Sequence, residues 1–277
     1  MKYYYISDLH LDYKDEAEKQ KFYDLLIKNK DDAKFIINGD FANDYRKTLR
    51  FVKEIDKLGI KGYWTLGNHE FFWLAERSNV TPLDKTKFKN AKPQTSAAWD
   101  KFLSLIASKT KTLKNFKFLD CGQIVNLEKD WYLIGDVGWS SFSTPEHKLT
   151  ENELSKFEWG TKFKQWNFEW IKKQNKKWIS FANSVINNIK YKNIVVATHY
   201  PMYFYDEFSP ESRFSKKEKL ERTYWFSDQR INNKKNKNVL FIHGHTHDIS
   251  YAKGHVTNAI GRRENSKTLE LMELKLK

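Results

Sequence analysis

Short apolar runs and longer amphipathic stretches alternate along the first 70 residues. The runs YYYIS (3–7), KFIIN (34–38) and GYWTL (62–66) are brief, aromatic or β-branched, and bounded by polar or glycine positions, so they predict strands. Between them, 15–29 places Phe22, Leu25 and Leu26 on one helical face, and 44–57 does the same with Leu49, Val52 and Ile55. Strand, helix, strand, helix, strand predicts a largely parallel sheet covered by helices. Later runs at 116–119, 122–126, 131–136, 193–198 and 239–243, then HVTNAI and TLELMEL, are closely spaced and predict a second, more antiparallel sheet. From 157 to 190, Trp159, Phe163, Trp166, Trp170, Trp178, Phe181 and Val185 fall at helical spacing, the mark of a helix face packed on a sheet. No repeat and no Pro/Gly/Ser-rich linker interrupts the chain. It therefore reads as a single domain, 1–277, with elaborations at 71–115 and 200–235 over the rim.

Composition narrows the class. The 277 residues are 40% hydrophobic and 30% charged, enough for one large α/β core, and no apolar run has the length of a membrane span. A single cysteine, Cys121, excludes an intramolecular disulfide framework. The N-terminal MKYYYISDLHLDY lacks the apolar core of a signal peptide, so the expected location is the cytoplasm. The net charge of +14 is carried by 49 Lys and Arg, of which eight are Arg. Lysines interleaved with acids, as in KDEAEKQK, predict solvated faces. An anionic or phosphorylated substrate suits this charge, and a nucleic acid is the alternative partner.

Candidate chemistry gathers where the strands end. Run 3–7 leads into Asp8-Leu9-His10, and 34–38 into Gly39-Asp40. Run 62–66 leads into Gly67-Asn68-His69-Glu70, 193–198 into His199, and 239–243 into Gly244-His245-Thr246-His247. Ligands of open α/β sheets bind at the carboxyl ends of strands, where loops converge. Imidazole suits transition ions and carboxylate suits harder ones. Two Asp, one Asn and four His are too many donors for one tetrahedral ion, but suit two ions sharing a carboxylate. Asp8 and His10, like His245 and His247, lie two apart on extended chain and can face the same way. His243 sits inside its run and reads as a buried, hydrogen-bonded histidine. Asp136, also at a strand end, reads as a structural turn residue. Tyr200, Tyr203, Tyr205 and Arg213 follow His199 and are candidate substrate neighbours.

The ordered series D-x-H, G-D, G-N-H-E, H and G-H-x-H, spread over residues 8 to 247, resembles the calcineurin-like metallophosphoesterase superfamily. The Asp-Arg-Gly of its protein serine/threonine phosphatases and the ligand Tyr of its purple acid phosphatases are missing, so the chain looks closer to the small prokaryotic phosphoesterase-like branch. The resemblance implies a four-layer α/β/β/α sandwich of two mixed sheets flanked by helices. It implies two metal ions, drawn from Mn, Fe, Zn, Ni or Mg. Asp8, His10 and His247 would hold one ion and Asn68, His199 and His245 the other, with Asp40 bridging and His69 the catalytic imidazole. The implied reaction is hydrolysis of a phosphodiester or phosphomonoester of a small molecule by a metal-bridging hydroxide, with His69 as general acid. A nuclease of the same chemistry is the alternative; a non-catalytic scaffold would need lost ligands, and all seven positions are filled. In such relatives an acidic residue shortly after the bridging Asp orients the catalytic His. Here Asn43 and Asp44 occupy that stretch, and the sequence leaves the choice between them open.

Overall fold

A computed structural model describes residues 1–70, 96–128, 130–141, 168–202, 231–232, 238–245, 249–252, 255–258 and 269–276. The first sheet has the order β11-β1-β2-β3-β4. Its members are β1 (Lys2–Ile6), β2 (Ala33–Asn38), β3 (Gly62–Thr65), β4 (Phe116–Phe118) and β11 (Met272–Glu273). Strands β1 to β4 are mutually parallel, as the strand–helix alternation predicts, and β11 adds an antiparallel edge beside β1. Helices α1 (Glu16–Asn29), α2 (Tyr45–Lys57) and α3 (Ser96–Thr110) belong to this half. Helix α1 starts where Asp15 and Glu18 form a reciprocal capping box. Helix α2 starts at Asp44, whose side chain accepts from the Arg46 N–H.

The second sheet has the order β5-β6-β7-β8-β10-β9, with β5 (Val125–Asn126), β6 (Trp131–Asp136), β7 (Asn193–Thr198), β8 (Asn238–His243), β9 (Ile249–Ala252) and β10 (His255–Asn258). Three expectations are corrected here. The sheet is not mainly antiparallel: β6, β7, β8 and β10 are parallel, and only β5 and β9 at the edges run the other way. Close spacing of runs predicts hairpins, and β5–β6 and β9–β10 are antiparallel neighbours, but β10 also pairs parallel with β8 and so lies between β8 and β9. The 116–119 and TLELMEL runs contribute their strands, β4 and β11, to the first sheet, not the second. Of the 122–126 run only Val125–Asn126 is strand, because Gly122 turns the chain at φ 101°.

Alternation along the strands builds the layers. Tyr3, Tyr5 and Ile36 from the first sheet meet Leu133, Val195, Ala197 and Ile242 from the second in a buried cluster between the sheets. The neighbouring positions Ile6, Phe35 and Ile37 turn outward to pack with Phe22, Leu26, Val52 and Ile55 of α1 and α2. On the far side, Ile134, Ile194 and Val196 pack with Trp178, Ala182 and Val185 of α4 (Phe168–Ile186). Each strand thus serves two apolar layers with its two faces, which requires near-continuous hydrophobic runs. The four-layer α/β/β/α arrangement is as the resemblance implied. Trp170 and Trp178 of the aromatic stripe are buried against the core, while Trp159, Phe163 and Trp166 lie outside the described residues. Among the described residues, no helix is long and apolar enough to cross a membrane.

Candidate metal centre

The two sheets are tied together at the carboxyl ends of their strands. The side chain of Asn38, last in β2, donates to Thr198 O at 3.1 Å and Ile242 O at 3.0 Å, at the ends of β7 and β8. That bond pair brings the loop after β2 beside the loops after β7 and β8. The backbone then bends sharply at the predicted site residues. Asp8, His10, Asp40 and His245 all have positive φ (54°, 43°, 53° and 67°), and among the described non-glycine residues only Asp130 shares this conformation. Each costs about 1–3 kcal/mol and persists only where the surroundings enforce it, a pattern concentrated at functional sites. Glycines make room at the close approaches. A Cβ on Gly67 would lie 2.2 Å from Asp40 Oδ1, and one on Gly244 would lie 2.3 Å from Asp8 Oδ2.

Of the eight predicted site residues, seven converge. Asp8, His10, Asp40, Asn68, His69 and His199 are buried and His245 half-buried; His247 lies outside the described residues. Among the described residues, two groups could hold an ion, His10 with Asp40 and His69, and Asp8 with Asp40 and His199, their ligand atoms within 4.8 Å of one another. Asp40 belongs to both. Its Oδ2 is buried, has no hydrogen-bond partner of good geometry, and is faced by Nε2 of His199, His69 and His10 at 3.4, 3.7 and 3.9 Å. A carboxylate oxygen surrounded by imidazole nitrogens beyond good hydrogen-bonding contact is a donor set that fits a cation between them. Asn68 Oδ1 lies 2.8 Å from both His199 Nε2 and His245 Nδ1. The Asp8 carboxylate accepts the His245 N–H at 2.9 Å.

Outer partners fix these groups. His199 Nδ1 meets the Asn38 carbonyl at 2.9 Å, which turns Nε2 toward Asp40. Burial opposes charge on His199, but Asp40 and Asp8 outweigh it and raise its pKa to about 9. Burial likewise opposes charge on Asp40, yet the facing imidazoles hold its pKa well below the usual carboxylate range. His69 Nδ1 bonds Asn43 Oδ1, which answers the open choice between Asn43 and Asp44. Asn43 is oriented by Asp12, which accepts from its side-chain amide, and Asp12 pairs with Lys47 at 3.2 Å. Asp44 is engaged elsewhere, capping α2 and pairing with Arg46.

The sequence reading left Glu70 without a role. It is fully buried, and its carboxylate accepts from the backbone N–H groups of Asp40 (3.1 Å), Phe41 (2.9 Å) and Gly67 (2.7 Å) and from the Thr48 hydroxyl (2.8 Å). It clamps the loop carrying Asp40 to the loop carrying Asn68. Burial and the charge of Asp40 push its pKa up to about 7 despite those donors. Its adjacency to His69 was the only sequence signal. Tyr200, a candidate substrate neighbour, is buried with its ring 4.5 Å from that of His245; Tyr203, Tyr205 and Arg213 lie outside the described residues. His243 is buried and kept neutral, its pKa lowered to about 4 by desolvation, as its place inside the strand suggested. Asp136 caps a turn by accepting the Gly138 N–H at 3.0 Å.

Fold and site define a strand-end metal centre between two packed sheets. Over residues 1–248 the chain matches the family model of calcineurin-like phosphoesterases, and it belongs to that family. It is a metal-dependent phosphoesterase. Its structure is similar to the crystal structure of a phosphopantetheinyl hydrolase from Mycobacterium tuberculosis, with a TM-score of 0.68 at 13% identity, covering 100% of this chain and 96% of that one. At that identity the likeness concerns the fold alone. No curated protein matches the sequence significantly.

Proposed function

We propose that the chain hydrolyses phosphodiester or phosphomonoester bonds with a pair of divalent or transition-metal ions. The observation that carries this reading is the Asp40 Oδ2, buried and faced by three imidazole Nε2 atoms, with Asp40 common to both potential ion-holding groups. In this reading Asp8, His10 and His247 hold one ion, Asn68, His199 and His245 the other, and Asp40 both. When bound, the ions supply Lewis acidity toward phosphoryl oxygens and make a water nucleophilic near neutral pH. His69 donates the proton that the departing alkoxide needs. Asn43 supports that role, because its carbonyl oxygen accepts from Nδ1 and leaves Nε2 as the atom that exchanges the proton. Asp40 sits close enough to stabilise the imidazolium that precedes transfer.

The test uses purified protein loaded with Mn²⁺, assayed against bis-p-nitrophenyl phosphate and p-nitrophenyl phosphate with and without chelator. The expected result is about two ions per chain and hydrolysis that chelator abolishes. Failure to take up metal, or hydrolysis indifferent to chelator, would overturn the proposal.

A further inference from the structure

Four of the five cations of α2 are segregated, and the fifth, Lys47, pairs with Asp12. Arg46, Arg50, Lys53 and Lys57 are spaced four, three and four residues apart, so they line one face, and all four are exposed. With Lys109 of α3 they border a groove of about 500 Å³ whose floor and walls include Tyr45, Leu49 and Leu105. Of the acids nearby, Asp44 offsets Arg46 at the first position of the stripe, and the others are held by hydrogen bonds. Glu54, which also lines the groove, accepts from Tyr23 Oη at 2.6 Å. Asp56 accepts the N–H groups of Asn115 and Phe116 at 2.6 and 2.9 Å, and Asp44 pairs with Arg46. Among the described residues, no acidic side chain forms an ion pair with Arg50, Lys53, Lys57 or Lys109. Helix α1 shows the contrast: there Lys19 pairs with Glu16 at 2.6 Å, and charges of both signs alternate.

The stripe also has a direction. Strand β2 ends at the metal centre, and the loop 39–44 carries Asp40 and Asn43 before α2 begins at Tyr45. Arg46 is therefore at the end nearest the centre, and the stripe extends from it over eleven residues, about 16 Å along the helix. We propose that this groove binds a single nucleic-acid strand, which it leads to the metal centre. The inference rests on the reading of that centre as a phosphoester-hydrolysing site, and it makes a phosphodiester polyanion the substrate class. A row of cations at one-turn intervals suits the regularly spaced charges of a phosphate backbone, and Tyr45 offers an aromatic ring beside it. A groove of about 500 Å³ bordered by one row of cations offers contacts to a single line of phosphates, whereas a duplex presents two. A membrane surface fits less well, because the apolar face of α2, with Leu49, Val52 and Ile55, is buried in the core.

The experiment compares metal-loaded wild type with the variant Arg50→Gln/Lys53→Gln/Lys57→Gln/Lys109→Gln, none of which belongs to the proposed catalytic machinery. Binding of a fluorescein-labelled, phosphorothioate-linked single-stranded 15-mer (~15 nucleotides, a few turns of groove contact) is read by anisotropy across a salt series. Cleavage of the ordinary phosphodiester 15-mer and of bis-p-nitrophenyl phosphate is read in parallel. We expect wild-type affinity to fall steeply with salt, and the variant to lose about 0.7 of log–log slope per removed cation. At moderate salt, oligonucleotide cleavage should drop at least about tenfold in the variant while the aryl ester rate stays the same. An unchanged slope in a variant with wild-type circular dichroism would overturn the groove, as would equal preference for duplex or a loss confined to binding of anionic phosphatidylglycerol vesicles. Should the fourfold variant misfold, Lys53→Gln/Lys57→Gln must show half the slope change. Absence of aryl ester hydrolysis in the wild type would instead remove the parent reading of the centre.

Discussion

Asp40 and Asp136 are both buried carboxylates at the carboxyl ends of parallel strands, one just after β2 and the other closing β6. Their surroundings set them apart. Asp40 is ringed by His10, His69 and His199, which hold its pKa low and keep it charged. Asp136 is desolvated beside a second carboxylate, Asp120, and is pushed up to about 8, the only relief coming from backbone N–H groups and Lys177. A strand-end acid is therefore not a ligand by position alone. What distinguishes the metal centre is a set of imidazole nitrogens gathered from other strands around one oxygen.

The comparison breaks most visibly at Asp40. Asp40→Asn should lower bound metal and aryl ester turnover by well over a hundredfold, because it removes the donor common to both groups; metal content by mass spectrometry alongside kcat reads this. A variant that keeps its full metal complement would deny Asp40 its shared role. His69→Ala should retain metal while kcat falls by about 10²–10⁴, and Asn43→Ala should lose less, with metal again unchanged. Metal loss in His69→Ala would make His69 a ligand instead, in keeping with its place in one of the two candidate groups. For Glu70→Gln, one amide NH₂ is turned toward backbone donors that the carboxylate now satisfies. Metal affinity should weaken by about 10–100-fold and thermal stability should drop by about 1–3 kcal/mol.

Asp136→Asn sharpens the other arm and has the smallest effect on function: metal content and turnover should stay at wild-type levels. Its signature is in stability. A carboxyl raised from 3.8 to about 8 is protonated in the folded protein and ionised in the unfolded chain between those values, so wild-type stability falls as pH rises through that window. The penalty is complete above about 8 and absent below 3.8. The neutral amide escapes it while still accepting the Gly138 N–H. The stability advantage of Asp136→Asn, read as unfolding free energy from denaturant titrations, should widen steadily from pH 5 to pH 8, by at most about 1.4 kcal/mol per pH unit. A constant gap would mean that Asp136 titrates normally.

The sequence by itself determined the order of most elements and the set of candidate site residues, seven of which the structure brings together. Apolar runs with period-two or continuous burial mark strands, and seven metal-donor side chains plus His69 following five of those runs mark one edge of an α/β fold. Local patterns of this kind are written in contiguous residues, so they are legible without coordinates. The tertiary structure alone decided the rest, because each remaining feature joins residues far apart in the chain. Pairing of β10 with β8 past β9, and of β11 with β1, depends on which open edge is available, and no run encodes its partner. Asn38 reaching across to Thr198 and Ile242 spans 160 and 204 positions. Glu70 holding Asp40 and Phe41 is visible only once two loops meet, and the choice of Asn43 over Asp44 turned on which side chain faced the imidazole. The cationic excess of α2 was hidden for the same reason: along the chain its lysines alternate with acids, and only the fold gathers Arg50, Lys53, Lys57 and Lys109 along one open groove while Glu54 and Asp56 are held by Tyr23, Asn115 and Phe116.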